Sequence, residues 1–130
     1  MQSRVRALGH PVHPMVIVFP LGLFVTAVVF DLVEMINGDP VFGQVGYWNI
    51  AAGLIGAVVA ATTGLLDWTA IPADSRAKRI GRWHGLSNAV VVVLFLISWL
   101  ARGDNPDHVA GAGLFALQVV AVALAGVAGW

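Results

Sequence analysis

The sequence predicts an all-α membrane protein, a four-transmembrane-helix up-down bundle, from its composition and the length of its apolar stretches. Of its 130 residues, 58% are hydrophobic and 11% are charged, whereas soluble domains carry about 25% charged residues. Four apolar stretches are long enough to cross about 30 Å of hydrocarbon at about 1.5 Å per residue. Within a single domain over 1–130, we place these spans near 12–33, 47–70, 80–101 and 109–130.

The basic residues indicate how the bundle is oriented. Six of the seven lie at the N-terminus or in the second connection: Arg4, Arg6, Arg76, Lys78, Arg79 and Arg82. Arg102 lies on the other side of the predicted membrane. Because cytoplasmic segments carry an excess of Lys and Arg, we expect both termini and the second connection to be cytoplasmic. The first apolar run is too long for the core of a signal peptide, so we expect it to be retained as a helix.

Composition argues against several functional classes. The net charge of zero gives no reason to expect nucleic acid as a partner. The absence of cysteine excludes disulfides, thiolate catalysis, iron–sulfur ligation and covalent attachment of c-type haem. The serines have no nucleophile-elbow context, and the sequence has no glycine-rich phosphate loop. We therefore expect an electron carrier or binding protein rather than a catalyst with its own substrate.

Two features shape the first two spans. Pro20 lacks a backbone N–H and leaves the carbonyl of Val16 free, which favours a kink in the first span. The second span carries a stripe of small and polar residues at helical spacing: Asn49, Gly53, Gly56, Ala60, Gly64 and Asp67. Small residues let a neighbouring helix approach closely. We expect the stripe to pack within the bundle or to form a homodimer.

Histidines mark one end of the predicted bundle. The segment Gly9-His10-Pro11-Val12-His13-Pro14 stands at the mouth of the first span, and its two histidines share one helical face. His84 occupies the matching position at the start of the third span. Antiparallel connectivity places four ionisable residues at one depth near the cytoplasmic interface: His10, His13, Asp67 and His84. Ionisable residues at such positions are candidate functional groups.

His13 and His84 project from parallel spans and could ligate a b-type haem between them. Bis-histidine ligation inside a helical bundle needs two facing neutral imidazoles, apolar walls and a partner that orients each ring. Asn88 lies one turn beyond His84, and Asp67 could accept a hydrogen bond from an imidazole. At the cytoplasmic edge, two basic side chains could pair with the haem propionates: Arg79 and Arg82.

Two alternatives to haem remain open. His10, His13, His84 and Asp67 together offer three nitrogen ligands and one oxygen ligand, a set that suits zinc or copper. The histidines could also serve only as caps and packing groups in a cofactor-free assembly subunit.

A second polar set shares the opposite depth: Asp31, Glu34, Asn49, Arg102 and His108. Because the positions between the two sets are apolar, we expect no continuous proton or ion path across the bundle. We expect His108 to lie in a solvated loop.

Several motifs resemble the bacterial membrane proteins grouped as domain-of-unknown-function family 2231. They are Gly9 to Met15, Phe19-Pro20, Gly64-Leu65-Leu66-Asp67-Trp68, and Trp83-His84 with Asn88. The resemblance covers nearly the whole chain and implies a four-span protein of the bacterial cytoplasmic (inner) membrane. Some members are fused to Rieske or cytochrome c modules, which implies membrane redox chemistry and a redox partner protein.

By position, five residues match the polar signature of that family: His10, His13, Asp67, His84 and Asn88. Many members carry a histidine just before the Phe-Pro pair, where this chain has Val18.

Overall fold

Four helices long and apolar enough to span a bilayer pack against one another, which confirms the predicted membrane bundle. The structure is a computed structural model and describes residues 3–130. Its elements in chain order are β1 (Arg6–Ala7), β2 (His10–Pro11), α1 (Val12–Val16), α2 (Val18–Asn37), α3 (Pro40–Thr69), α4 (Arg76–Gly103) and α5 (Gly111–Gly129). Helices α1 and α2 together form the first span.

The first connection is shorter than the sequence predicted, because capping residues start α3 seven positions earlier than residue 47. Gly38 ends α2 in the left-handed conformation (φ 72°), and its N–H donates to the carbonyl of Glu34 at 2.7 Å. The side chain of Asp39 accepts from the N–H of Val41 at 3.1 Å, and Pro40 takes the first helical position. The turn therefore consists of two residues.

The first span is interrupted where Pro20 removes a backbone donor, between Val16 and Val18. Ile17 keeps right-handed helical dihedrals, its N–H donates to the carbonyl of His13 at 3.0 Å, and its carbonyl accepts from Leu21 at 3.3 Å. The helical phase is therefore preserved from α1 into α2.

A short hairpin precedes α1, which the sequence analysis did not predict. Strand β1 pairs antiparallel with β2, so that Arg6 lies opposite Pro11 and Ala7 opposite His10. Leu8 and Gly9, at the turn, both have positive φ, of 51° and 83°. Positive φ at both central residues matches the twist of a tight two-residue hairpin.

Helices α2 and α4 run parallel and lie diagonally opposite each other, since each packs mainly on α3 and α5. Their interior residues recur at intervals of three and four. We call these rows the α2 stripe (13, 17, 20, 24, 27, 31) and the α4 stripe (84, 88, 91, 95, 98, 102). Phe24 and Phe95 stack across the diagonal with ring centroids 4.1 Å apart.

The small residues of α3 pack inside the bundle, against α2. A Cβ at Gly53 would lie 2.6 Å from the ring of Phe24, and one at Gly56 would lie 3.2 Å from Cδ of Pro20. Of the two expected uses of this stripe, the structure shows close packing within the bundle.

A buried ion pair joins all four spanning helices at the end opposite the histidines. Arg102 is 0% and Asp31 1% exposed, and Nη1 and Nη2 donate to the two carboxylate oxygens at 2.8 and 2.7 Å. The other donors of Arg102 bond the carbonyls of Gly43 (2.8 Å) and His108 (2.7 Å) and Oε1 of Gln118 (3.1 Å). All five guanidinium N–H groups are thereby satisfied.

His108 is not in a solvated loop as expected, because this network fixes its backbone. Its carbonyl accepts from Nε of Arg102, and its Nδ1 bonds the carbonyl of Arg102 at 2.8 Å. Its ring is half-buried and stacks on Tyr47 with centroids 4.2 Å apart.

Replacing Gly46 by alanine is expected to destabilise the bundle by about 1–3 kcal/mol, because overpacking displaces its neighbours. The new Cβ would lie 2.5 Å from Oδ1 of Asp31. The measurement is SDS-induced unfolding in detergent micelles, followed by circular dichroism. Gly22→Ala is the matched control, because open space surrounds its Cβ position. Its expected effect is neutral or stabilising, by at most about 1 kcal/mol. Equal destabilisation by both substitutions would contradict the packing account.

Candidate functional site

The end of the bundle that carries His13 and His84, here called the histidine end, is open where the opposite end is closed. His84 is exposed, and Asn88 and His13 are half-buried, although all three occupy or adjoin the interior stripes. At the other end, Asp31 and Arg102 on the same stripes are fully buried. Along these two rows, exposure therefore increases from the buried ion pair toward the histidines.

His13 lies in α1 and is held against α3. Its Nδ1 lies 2.8 Å from the carbonyl of Ala60 and 3.3 Å from Oγ1 of Thr63. The ring packs over Gly64, where a Cβ would lie 2.8 Å from Cε1. Because a carbonyl only accepts, Nδ1 is assigned the proton, which leaves the lone pair on Nε2 whenever the ring is neutral.

His84 has the same tautomer but is held by α5. Its Nδ1 donates to the carbonyl of Ala128 at 3.0 Å. The amide of Asn88 lies 3.3 Å from Nε2 and donates to the backbone carbonyl of His84 at 2.8 Å. In this arrangement Nε2 again accepts, and Asn88 lies one turn along the α4 stripe as the sequence predicted.

The two histidines occupy equivalent positions on diagonally opposed helices. Asp31 and Arg102 are separated by 71 residues, and so are the stacked Phe24 and Phe95. His13 and His84 are separated by the same number. Because α2 and α4 are parallel, the equal separation predicts one depth for the two histidines, while their hydrogen bonds hold His13 on α3 and His84 on α5.

Asp67 holds the N-terminal segment instead of the predicted imidazole. Its carboxylate accepts from Oγ of Ser3 at 2.7 and 2.8 Å, and Oδ1 accepts from the backbone N–H of Arg4 at 2.7 Å and of Val5 at 3.2 Å. These contacts tie the chain before the hairpin to the end of α3. Sequence reasoning missed this role, because it placed Asp67 at the right depth without information on how residues 3–5 fold.

His10 lies outside the interior stripes. It is exposed on β2, and its Nδ1 lies 3.1 Å from the carbonyl of Leu8. Val18, which precedes the Phe-Pro pair, is 60% exposed on α2. Neither position therefore adds a group to the row that contains His13.

Exposed basic residues are concentrated at the histidine end, which also carries the exposed acidic Asp74. Exposed basic residues at the histidine end include Arg4, Arg76, Arg79 and Arg82. Exposed acidic residues at the opposite end include Asp39, Asp104 and Asp107. Arg79 and Arg82 thus lie at the edge of the histidine end, where the sequence placed them.

The connection between α3 and α4 fixes where α4 begins. Nε1 of Trp68 donates to the carbonyl of Lys78 at 3.1 Å, and Nζ of Lys78 donates back to the carbonyl of Trp68 at 2.8 Å. The side chain of Ser75 caps the helix by accepting from the N–H of Lys78. Gly81 lets the Trp68 ring approach, since a Cβ there would lie 2.7 Å from Cδ1. His84 follows one turn later.

An open groove of about 680 Å³ runs between the start of α4 and the end of α5. It contains His84 and is flanked by two tryptophans, Trp83 and Trp130. Ala128 and Gly129 leave it open because they carry little or no side chain. One edge of His84 is therefore reachable from the surface of the bundle.

The structure also bears on the expected metal site. Within residues 3–130, no three His, Asp or Glu side chains lie close enough together to hold a metal ion. Asp67 is occupied by the N-terminal segment, and His10 lies on the hairpin. A site that needs three protein ligands is therefore not assembled from these residues in this structure.

Removing the Asp67 carboxylate is expected to release the N-terminal segment. In Asp67→Ala, tryptic cleavage after Arg4 and Arg6 should become several-fold faster, because local opening no longer breaks the hydrogen bonds to Ser3, Arg4 and Val5. Limited proteolysis followed by mass spectrometry measures the rate. The control, Asp104→Ala, removes an exposed carboxylate from the opposite end and should leave cleavage unchanged. An unchanged rate in Asp67→Ala would show that other contacts hold the segment.

Comparison with known proteins gives one family. The profile for DUF2231, described as a predicted membrane protein, matches residues 9–130. No curated protein and no solved structure matches the chain. The match covers essentially the whole chain and includes His13, His84, Asp67 and Asn88. This chain is therefore a member of the DUF2231 family of predicted membrane proteins.

Proposed function

We propose that the protein is a membrane electron carrier that binds a b-type haem, with Nε2 of His13 and Nε2 of His84 as axial ligands. The observation that carries this proposal is the pairing of the two histidines at the same 71-residue separation as Asp31–Arg102 and Phe24–Phe95. Parallel helices in one register bring matched positions to one depth on opposite sides of the interior.

The protonation of both rings suits iron ligation. A ligating imidazole must be neutral at the binding nitrogen, and its other nitrogen usually donates to a carbonyl or carboxylate that fixes the ring. Nδ1 of His13 bonds the Ala60 carbonyl, and Nδ1 of His84 bonds the Ala128 carbonyl. If Nε2 of His84 bound iron, the Asn88 amide would give up its 3.3 Å contact with that nitrogen and could keep its 2.8 Å bond to the His84 carbonyl.

The surroundings of the histidines suit a large apolar group with acidic substituents. The neighbouring interior positions on α3 and α5 are small: Ala60, Gly64, Ala125 and Ala128. At Gly64 the missing side chain leaves room for the ring of His13. Arg79 and Arg82 are available at the edge to bond propionates. The haem would supply one-electron chemistry, and the chain would supply ligation, orientation and exclusion of water.

The ligand count favours haem over a bare metal ion. Haem iron takes two axial ligands from the protein, whereas structural zinc takes four protein ligands and catalytic zinc three. The stripes present two histidines, and the described residues contain no group of three candidate ligands. The two alternatives, zinc or copper binding and a cofactor-free assembly role, are distinguished by the spectroscopic experiment described below.

The concentration of basic residues at the histidine end supports a cytoplasmic haem. If the basic end faces the cytoplasm across a bacterial inner membrane, both termini and the α3–α4 connection lie on the cytoplasmic side. The haem would then exchange electrons with a partner protein at the cytoplasmic face.

An absorption spectrum tests the haem proposal. The protein is purified after expression with added haem, and its reduced-minus-oxidised spectrum is recorded. The proposal predicts a Soret band and a sharp α-band that are both lost in His13→Ala and His84→Ala. His10→Ala is the matched control and should keep both bands, because its ring lies on the hairpin. Stoichiometric zinc or copper without a Soret band would overturn the proposal in favour of a metal site. If the purified protein contains neither a chromophore nor a metal, the proposal is also overturned and an assembly role is the remaining alternative.

Cysteine labelling tests the orientation, because the chain has no cysteine of its own. Single cysteines are introduced by Ala73→Cys in the α3–α4 connection and by Asp107→Cys in the α4–α5 connection. Both native positions are exposed. In intact cells, a membrane-impermeant maleimide should label the cysteine at 107 at once and the cysteine at 73 only after permeabilisation. The reverse pattern would put the histidine end outside the cytoplasm.

A further inference from the structure

We propose that the Asp31–Arg102 pair is the positioning element that sets the register of α2 against α4 and so brings His13 opposite His84. The functional meaning of this inference rests on the proposed haem site. Its structural part rests on contacts that involve no haem. Neither residue touches the histidines, which lie 18 positions away on each helix.

Arg102 allows only one axial position of α2 because each of its donors is committed. Two N–H groups bond the two oxygens of Asp31, and the other three bond Gly43, His108 and Gln118. A slip of α2 by one turn, about 5.4 Å, would remove the carboxylate from a fully buried guanidinium. A buried charge without its partner is strongly disfavoured, so the slipped arrangement is excluded.

The apolar residues between the pair and the histidines select a register less sharply. On the α2 stripe they comprise Ala27, Phe24, Pro20 and Ile17; Phe24 and Pro20 fit against glycines of α3, but apolar burial lacks the directional hydrogen bonds of the ion pair. A single buried polar group is a well-established way to fix one helical register among several of similar apolar packing. Gly46 reinforces the selection, since the Asp31 carboxylate occupies the space of its missing side chain.

The register is transmitted from the pair to the histidines through unbroken helical phase. Helix α4 is continuous from Arg76 to Gly103. On the other side, the hydrogen bonds of Ile17 to His13 and to Leu21 carry the phase of α2 into α1. An axial shift of α2 at Asp31 would therefore move His13 by the same distance relative to His84.

The network contains its own matched control. The side chain of Ser98 donates to Oε1 of Gln118, which itself bonds Arg102 and Asp31, but it makes no direct hydrogen bond to either member of the ion pair. Ser98→Ala therefore removes a buried hydrogen bond of the cluster and keeps the ion pair. A change in register that depends on the ion pair should therefore be absent from Ser98→Ala.

A distance measurement without haem tests the structural part. Met15 and Leu86 are 55% and 53% exposed and are themselves separated by 71 residues. With spin labels on Met15→Cys and Leu86→Cys, pulsed double electron–electron resonance should give one narrow distance distribution. Adding Asp31→Asn should broaden it or shift it by up to about 5 Å, one helical turn. Ser98→Ala should leave it unchanged.

Arg102→Lys provides a second test if Asp31→Asn does not fold. Lysine keeps the charge opposite Asp31 but has three donors instead of five, so it should broaden the distribution less than Asp31→Asn. An unchanged distribution in a folded Asp31→Asn or Arg102→Lys protein would overturn the inference. Equal broadening in Ser98→Ala would also overturn it, because the effect would then belong to the cluster in general.

The haem-loaded protein supplies a separate readout. In Asp31→Asn, part of the six-coordinate low-spin spectrum should convert to a five-coordinate form, while Ser98→Ala keeps the parent spectrum. A distance shift in a protein that never binds haem would support the register inference and reject the proposed function. If the parent protein binds bis-histidine haem and the Asp31→Asn distances are unchanged, the proposed function is supported and the register inference is rejected.

Discussion

The buried contact between Arg102 and Asp31 constrains the rest of the bundle. Placing a guanidinium and a carboxylate in an apolar interior carries a large desolvation cost, which is offset only when both groups are fully hydrogen-bonded. Arg102 meets that condition with five bonds to α2, α3, α5 and the α4–α5 connection. All four spanning helices must therefore adopt one mutual arrangement for this residue to be buried.

That constraint makes the two ends of the bundle different. One end is closed around satisfied polar groups and the stacked rings of Tyr47 and His108. The other end carries two imidazoles held by backbone carbonyls, and His84 borders an open groove between α4 and α5. If the histidines bind a haem as proposed, a rigid closed end would help to keep them in place. The basic residues around the open end add attraction for acidic groups on a cofactor or a partner.

The sequence predicted what depends on depth and hydropathy. Four spans and the shared depth of His13 and His84 follow from apolar length and antiparallel connectivity alone. It did not predict that Asp31 contacts Arg102, although both were placed at one depth, because contact depends on the rotation and register of packed helices. The docking of Ser3 on Asp67 was missed for a related reason, since it depends on a hairpin whose positive-φ turn at Leu8 has only Gly9 as a sequence signal.

Low-temperature electron paramagnetic resonance of the ferric protein tests the central claim most directly, because it reports both axial ligands of the iron. The account predicts a low-spin ferric signal of two axial imidazoles, with nitrogen couplings that change on labelling histidine with ¹⁵N. It further predicts conversion to high-spin iron in His84→Ala but not in His10→Ala. A high-spin signal in the parent protein, or a low-spin signal that survives His84→Ala, would contradict the account.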